Sequence, residues 1–370
     1  MRILVYGAGV LGSQYAARLH AAGHDVSILA RGQRLADLRE HGIVLEAVNY
    51  ERRTVARVNV VSSLEPNDAY DLVIVLMRKN QVRDILPVLA ASQRTPNVLF
   101  LGNNVAGPGE YVAALGRERV LMGFGGTGGV REGHVVRYIA AEEADTTDVG
   151  RASADQGLTV VGELDGCVTP RAERIAEAFE GTGLPVTVCE DVDAWLKTHA
   201  ALVLPLAYGV YAAGGDNYRL ARTRDGLVLM VRAIREGFRA LRALGVPITP
   251  TKYRLLAWLP EPLLVAMLRR LLDTQFAEIG LAGHANAARD EMGALGNEFR
   301  ALVAHACVPT PALDRLQAYV EPAEAPLPPG SADVPQDWRG VLVGLGALAG
   351  VALAAWAVVR AVRSDRASRR

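Results

Sequence analysis

Apolar positions in the first third of the chain come in short unbroken runs separated by helical spacing. Ile3 to Tyr6 is one such run, a helical stretch follows toward His20, and Val26 to Ala30 is apolar again. Runs of this length mark strands buried on both faces of a parallel sheet. Met1 to Arg31 is therefore predicted as strand, helix, strand. A short helix over Gln33 to His41 leads to extended segments at Gly42 to Leu45 and Thr54 to Val61, and Asp71 to Leu76 and Asn97 to Leu101 repeat the buried-strand pattern. Glycine-rich extended sequence from Gly123 to Tyr138 predicts further strands of one mixed sheet that cover a cleft. Val160 to Gly166 and Pro185 to Val188 are its last members, with a helix between them. From Asp193 onward the strand pattern stops, and apolar helical runs span Ala194 to Ala213, Thr223 to Leu244, Leu263 to Ile279 and Ala287 to Ala306. An all-helical second part is expected.

The C-terminus departs from this pattern. Gly340 to Val359 reads GVLVGLGALAGVALAAWAVV, with no charged residue and with Arg339 and Arg360 on either side. That length and composition predict a transmembrane helix, with a surface-lying segment as the alternative. The resulting division is a dinucleotide-binding part over 1–190, a helical part over 191–320 for substrate and dimerisation, a Pro-rich acidic linker over 321–339, the span over 340–359 and a basic tail over 360–370. Gly340/Gly344 and Gly346/Gly350 have the spacing that lets helices approach closely, which leaves a homodimer open. The tail's arginines favour a cytoplasmic tail, which for a single span would put the large domain outside. The need for a cytosolic cofactor outweighs this, so a cytoplasmic domain anchored by its C-terminus is expected.

Candidate chemistry begins at Gly7-Ala8-Gly9-Val10-Leu11-Gly12, between the first strand and its helix. Gly7 allows the turn, Gly9 lets the backbone approach a pyrophosphate, and Gly12 lets the helix pack on the sheet with its first amides facing phosphate. This is the fingerprint of a Rossmann-type dinucleotide-binding fold. The second strand ends on Arg31, followed by Gly32 and Arg34, where an NAD site usually offers a carboxylate. A guanidinium suits a 2′-phosphate, so NADP(H) is the expected cofactor, against the alternative of a solvated strand-end charge. Arg78, Lys79 and Gln81 follow the Asp71 strand, at the sheet edge where ligands bind; ordinary helix-start polarity is the other reading. Asn103 and Asn104 end the next strand, and either a cofactor contact or a turn would account for them.

Lys plus Arg and Asp plus Glu both number 40, so no global field points to nucleic acid. Cys167, Cys189 and Cys307 show no metal or redox spacing. The first strand begins at residue 2, so no signal peptide is expected.

These motifs together resemble the ketopantoate reductase (2-dehydropantoate 2-reductase) family from Met1 to about Val320. The resemblance rests on the glycine fingerprint with Arg31, the basic residue and Gln81 after the Asp71 strand, the asparagine at the next strand end, and GELDG before a helix. Trp195-Leu196-Lys197, Asp290-Glu291-Met292 and the VPTP of Val308 to Pro311 complete it. It implies reduction of a 2-oxo acid by NADPH, with Lys197 as general acid and Glu291 orienting the substrate hydroxyl and the lysine. It also implies Asn103 near nicotinamide and substrate, and Arg78 where the family usually has a lysine near the cofactor. Departures are visible. Alanine stands where the first family asparagine after the lysine belongs, Gly293 replaces an acidic residue, and the serine upstream of Glu291 is absent. His284 and Asn286 lie about two turns and one turn before Glu291 and offer donors, although His284 reads rather as a structural histidine. The expectation is an NADPH-dependent 2-oxo acid reductase. Its alternatives are a reductase or opine-type dehydrogenase acting on another carbonyl, and a non-catalytic, membrane-tethered NADP(H)-binding protein.

Overall fold

In a computed structural model, residues 1–140 and 158–341 are described. Among them lie the strands β1 (Arg2–Tyr6), β2 (Asp25–Leu29), β3 (Ile43–Ala47), β4 (Arg52–Ala56), β5 (Asn59–Val61), β6 (Leu72–Val75), β7 (Val98–Leu101), β8 (Val120–Phe124), β9 (Val130–Glu132), β10 (Val135–Tyr138), β11 (Thr159–Gly162) and β12 (Val186–Val188). The larger sheet runs β12-β11-β8-β7-β6-β1-β2-β5, and its pairs are parallel except β11 on β8. Successive side chains of β1 enter opposite layers: Ile3 and Val5 join one apolar cluster, Leu4 and Tyr6 the other. Both faces of the central strands are therefore buried, which is why they read as unbroken apolar runs. The chain runs outward from β1 to β2 and then returns to β6 on the other side. The strand order thus reverses between β1 and β6, the kind of switch point at whose carboxyl ends such sheets bind ligands.

The single mixed sheet expected from sequence is in fact two. β4 turns back antiparallel on β3, β10 and β9 extend that pair, and only β5 of the Thr54 to Val61 run joins the larger sheet. Ile43, Leu45 and Ala47 of β3 and Val136 and Tyr138 of β10 bury their side chains in the same cluster as Tyr15 and Leu19 of the Val10–Ala21 helix. The alternation that fits a small sheet onto this helix fits a place in the larger sheet equally well. The pattern alone does not separate the two.

The helical half is built around the Val192–Ala212 and Arg224–Ala243 helices, whose buried residues include Ala201, Leu204, Tyr208, Met230 and Phe238. The long helix expected over Leu263 to Ile279 is shorter. It covers Glu261–Leu272, and the chain restarts where the Thr274 hydroxyl accepts from the Ala277 amide at 3.2 Å.

The C-terminal expectations need correction. Residues 321–339 do not stand away from the core as a linker. Leu327 is buried and donates its amide to the Ala212 carbonyl at 2.8 Å, the Asp225 carboxylate accepts from the Asp333 and Val334 amides, and Glu261 accepts from the Asp337 amide at 2.8 Å. Two buried carboxylates, Asp225 and the Arg232-paired Glu261, thus tie the backbone of this strap down. The predicted transmembrane helix is not found: among the described residues no helix is long and apolar enough to cross a membrane. Most of the stretch that was expected to form it, 342–359, and the basic tail lie outside the described residues. The fold class is accordingly a Rossmann-like N-terminal part followed by a helical C-terminal part.

Candidate active site

The glycine loop takes the form its spacing implies. Gly7 has φ +116°, and a Cβ there would run into the Leu76 carbonyl at the end of β6; a Cβ on Gly12 would overlap the Gly7 carbonyl. Strand and helix therefore pack backbone to backbone. Gly9 faces open space, with nothing within 4 Å of an added Cβ. The helix starts at Val10 with no side-chain cap and no acidic residue in its first turn. Together with Ala8 and Leu11, these residues form a cradle that suits an anion at a helix N-terminus. Beside it, Gln14 donates to the Gly128 carbonyl at 3.0 Å and accepts from the Thr127 hydroxyl at 2.7 Å, which holds the glycine-rich loop after β8 against the same helix.

Arg31 is exposed just past β2, where its guanidinium donates to the Tyr6 hydroxyl at 3.1 Å. Arg34 behaves differently. It donates to the Ala8 carbonyl at 3.1 Å, the His134 carbonyl at 3.0 Å and the Ser13 hydroxyl at 2.8 Å. Burial lowers its pKa to about 10, so it stays charged at neutral pH while bracing the loop.

Past β6 the three polar residues diverge. Arg78 reaches the helical half, donating to Asp290 at 2.9 Å and to the Ala287 carbonyl. Gln81 is exposed. Lys79 is the one drawn inward: its side chain is 9% exposed, with Nζ at 3.6 Å from Glu298 and 3.8 Å from Glu110, over the Tyr111 ring. Adjacent residues on a first helical turn diverge by about a quarter-turn or more, and only the helix start decides which one enters.

Asn103 and Glu291, 188 positions apart, meet here. Asn103 Nδ2 donates to Glu291 Oε1 at 3.1 Å, and the same oxygen accepts from the Lys79 amide at 3.3 Å. Both side chains are buried, and Asn103 Oδ1 has no partner. A buried acceptor left open in this way fits a hydrogen-bond donor on a ligand.

Lys197 does not join this pair. It makes an ion pair with Asp193, one turn earlier on its helix, and lines a cleft of about 540 Å³ with Met122, Leu196, Glu163 and Asp165. Met122 also borders the small cavity that holds Lys79 and Asn103, so the two groups lie on either side of that side chain. Asn286 is taken up by the Gly215 carbonyl at 2.8 Å.

The opposite face of the Lys197 helix holds a histidine that sequence reasoning missed. His199 lies 4.0 Å from the Phe124 ring and stacks within 6° of Trp195, one helical turn earlier. The i, i+4 spacing of Trp195 and His199 was the available signal. Its Nε2 is buried without a partner. Burial, with a smaller contribution from nearby His284, lowers the His199 pKa to about 4. His284 is likewise held down by burial; Glu291 opposes that shift and Arg78 adds to it.

A stability consequence follows from His199. The unfolded chain takes up the proton first on acidification, so the stability from neutral His199 is complete above pH 6.5 and drains away as pH falls toward 4. Between pH 7 and pH 5 the loss is about 2 kcal/mol. Urea unfolding at the two values should show it, and His199→Phe should shrink it. An unchanged difference in the variant would remove His199 as its source.

The family described as Ketopantoate reductase PanE/ApbA matches residues 3–153, the part that carries the glycine loop, Lys79 and Asn103. A 2-dehydropantoate 2-reductase of Archaeoglobus fulgidus is 29% identical over 199 residues, 53% of this chain and 59% of that protein. Over residues 3–153, the chain is similar to the ketopantoate reductase family. It spans less than two thirds of the length of the curated relatives it matches. Among solved structures, 2-dehydropantoate 2-reductase of Geobacter metallireducens superposes with a TM-score of 0.69 at 18% identity, over 88% of this chain and all of that one. D-mandelate dehydrogenase, with NADH and anilino(oxo)acetate, gives 0.68 at 16% identity over 86% of this chain and 97% of that one. At such identities these two show the shared fold, helical half included.

Proposed function

We propose that this ketopantoate reductase relative is an NADPH-dependent reductase of a 2-oxo acid. The observation that carries the reading is the Asn103–Glu291 pair, which joins the carboxyl edge of the sheet to the helical half and leaves Asn103 Oδ1 open. The residues present fit a nicotinamide dinucleotide: Gly7, Ala8, Gly9, Val10, Leu11 and Gly12 for the pyrophosphate, Arg31 for the 2′-phosphate, and Asn103 for the nicotinamide or the substrate oxygen. When bound, the reduced cofactor supplies the hydride. The chain must supply the proton to the carbonyl oxygen, because an alkoxide does not accumulate near neutral pH. Lys197 is the proposed donor, facing the cleft from one side of Met122. Glu291 orients the substrate from the other. Arg78, bound to Asp290, serves this reading by holding the two halves together near the cofactor, and Gln81 has no contact that adds to it.

The cofactor preference has its own test. Arg31→Asp should weaken NADPH binding by about 10- to 100-fold, the range for a lost charge-assisted contact, and leave NADH within a few-fold. Titration of reduced-nicotinamide fluorescence measures both. Equal losses for the two cofactors would remove the 2′-phosphate role.

A second reading concerns the substrate. Phe124, Trp195 and His199 are only partly buried and form a three-ring group at the carboxyl end of β8. These rings lie outside the cleft that Lys197 lines, and they suit a 2-oxo acid with an aromatic side chain that reaches the other face of the Lys197 helix. The likeness in fold to D-mandelate dehydrogenase supports that alternative. Comparing kcat/KM for benzoylformate and ketopantoate separates the two.

A further inference from the structure

The helical half carries an apolar surface that the proposed reaction does not use. Trp258 is 82% exposed, and Leu255, Leu263, Met267, Leu271 and Trp338 are between 41% and 60% exposed. Leu263, Met267 and Leu271 recur every four residues along the Glu261–Leu272 helix, so they share its outer face, while Leu264, Val265 and Leu272 bury the inner one. Trp258 immediately precedes this helix. The C-terminal strap brings Trp338 to the same end: the Asp337 amide is held by Glu261, and a Cβ on Gly340 would lie 3.5 Å from Pro260 Cα. Isolated exposed apolar residues are ordinary, but two tryptophans and a helical stripe gathered at one place mark an interaction surface.

Charge identifies the partner. Arg254, Arg269, Arg270 and Arg339 are exposed around these residues. Among the described residues neither Arg269 nor Arg270 has an ion-pair partner; of the nearby acids, Glu261 is buried and held by Arg232 at 3.0 Å, exposed Asp273 lies 4.0 Å from Arg222, and exposed Asp337 accepts from the Arg339 amide at 2.9 Å. Two copies meeting through this face would bring like charges together. A bilayer with anionic headgroups satisfies both features, since tryptophan and leucine settle at the headgroup boundary and arginines meet phosphate. We propose that the face formed by Leu255, Trp258, Leu263, Met267, Leu271 and Trp338 docks on an anionic lipid surface, lying on the bilayer without crossing it. This inference stands apart from the proposed reductase activity.

Co-sedimentation of the full chain with phosphatidylcholine vesicles, with and without phosphatidylglycerol, tests it. Binding should be at least about tenfold stronger to the anionic vesicles and should weaken with salt. Trp258→Glu with Met267→Glu, and separately Arg269→Glu with Arg270→Glu, should each reduce that binding about tenfold or more, with NADPH binding retained as the sign of a folded protein. Because the second pair sits on the exposed surface and leaves the apolar residues in place, it keeps the test open should the first pair misfold. Three outcomes would each overturn the proposal. One is no preference for anionic vesicles. Another is binding unchanged in folded variants, which would assign it to another segment such as the uncharged run 342–359. The third is a dimer in light scattering that the same substitutions dissociate without any effect on vesicles.

Discussion

Lys197→Ala is expected to lower kcat by about 10²- to 10⁴-fold on any 2-oxo acid the protein accepts, the range for loss of a general acid, with NADPH affinity nearly unchanged. Single-turnover measurement with saturating NADPH reads the chemical step directly. The geometry makes this a demanding prediction, because Lys197 is paired with Asp193 and lines a different cavity from Asn103, the two cavities sharing Met122. Productive protonation requires the ammonium to leave Asp193 and turn toward the carbonyl. Lys79 is the natural control, since it lies in the small cavity with Asn103 but is occupied by Glu298 and Glu110. Lys79→Met should cost stability by leaving two carboxylates facing each other, and should slow the chemistry far less than Lys197→Ala. The reverse ranking would transfer the acid role to Lys79.

Gly12→Val should abolish dinucleotide binding and unfold much of the nucleotide-binding half. The added Cβ would meet the Gly7 carbonyl, which is backbone and cannot swing away, so a loss of more than about 3 kcal/mol is expected. Gly9→Ala separates packing from binding. Its Cβ enters open space, so the melting temperature should hold while NADPH affinity drops at least about tenfold. Thermal unfolding and cofactor titration on the pair measure this. A folded Gly12→Val that still binds NADPH would contradict the cradle described above.

These two glycines also show what kind of information the sequence carried. The cradle is local: strand, turn and helix lie within the first turn of chain, and the spacing of Gly7, Gly9 and Gly12 contains its geometry. Buried strands were legible for the same reason, because Ile3 to Tyr6 and Asp71 to Leu76 are covered on both faces. What the sequence could not show is which distant residues meet. Asn103 and Glu291 were each singled out, yet their contact spans both halves of the chain. Arg78 and Lys79 were adjacent candidates whose roles depend on a helix rotation, and Arg78 went to Asp290 while Lys79 turned inward. The run from Thr54 to Val61 divided between two sheets because alternating apolar residues suit either. At the C-terminus, hydropathy alone suggested a linker and a span. The strap over 321–339 is instead pinned by Asp225 and Glu261, which are ordinary acidic residues until their burial is known.

The most direct test of the reductase reading follows absorbance of the reduced nicotinamide as the full chain meets NADPH and a panel of 2-oxo acids that includes ketopantoate and benzoylformate. Saturable oxidation with at least one of them, suppressed by both Lys197→Ala and Glu291→Gln, is the predicted result. Tight NADPH binding with no oxidation across the panel would contradict it and leave a nucleotide-binding protein without this chemistry.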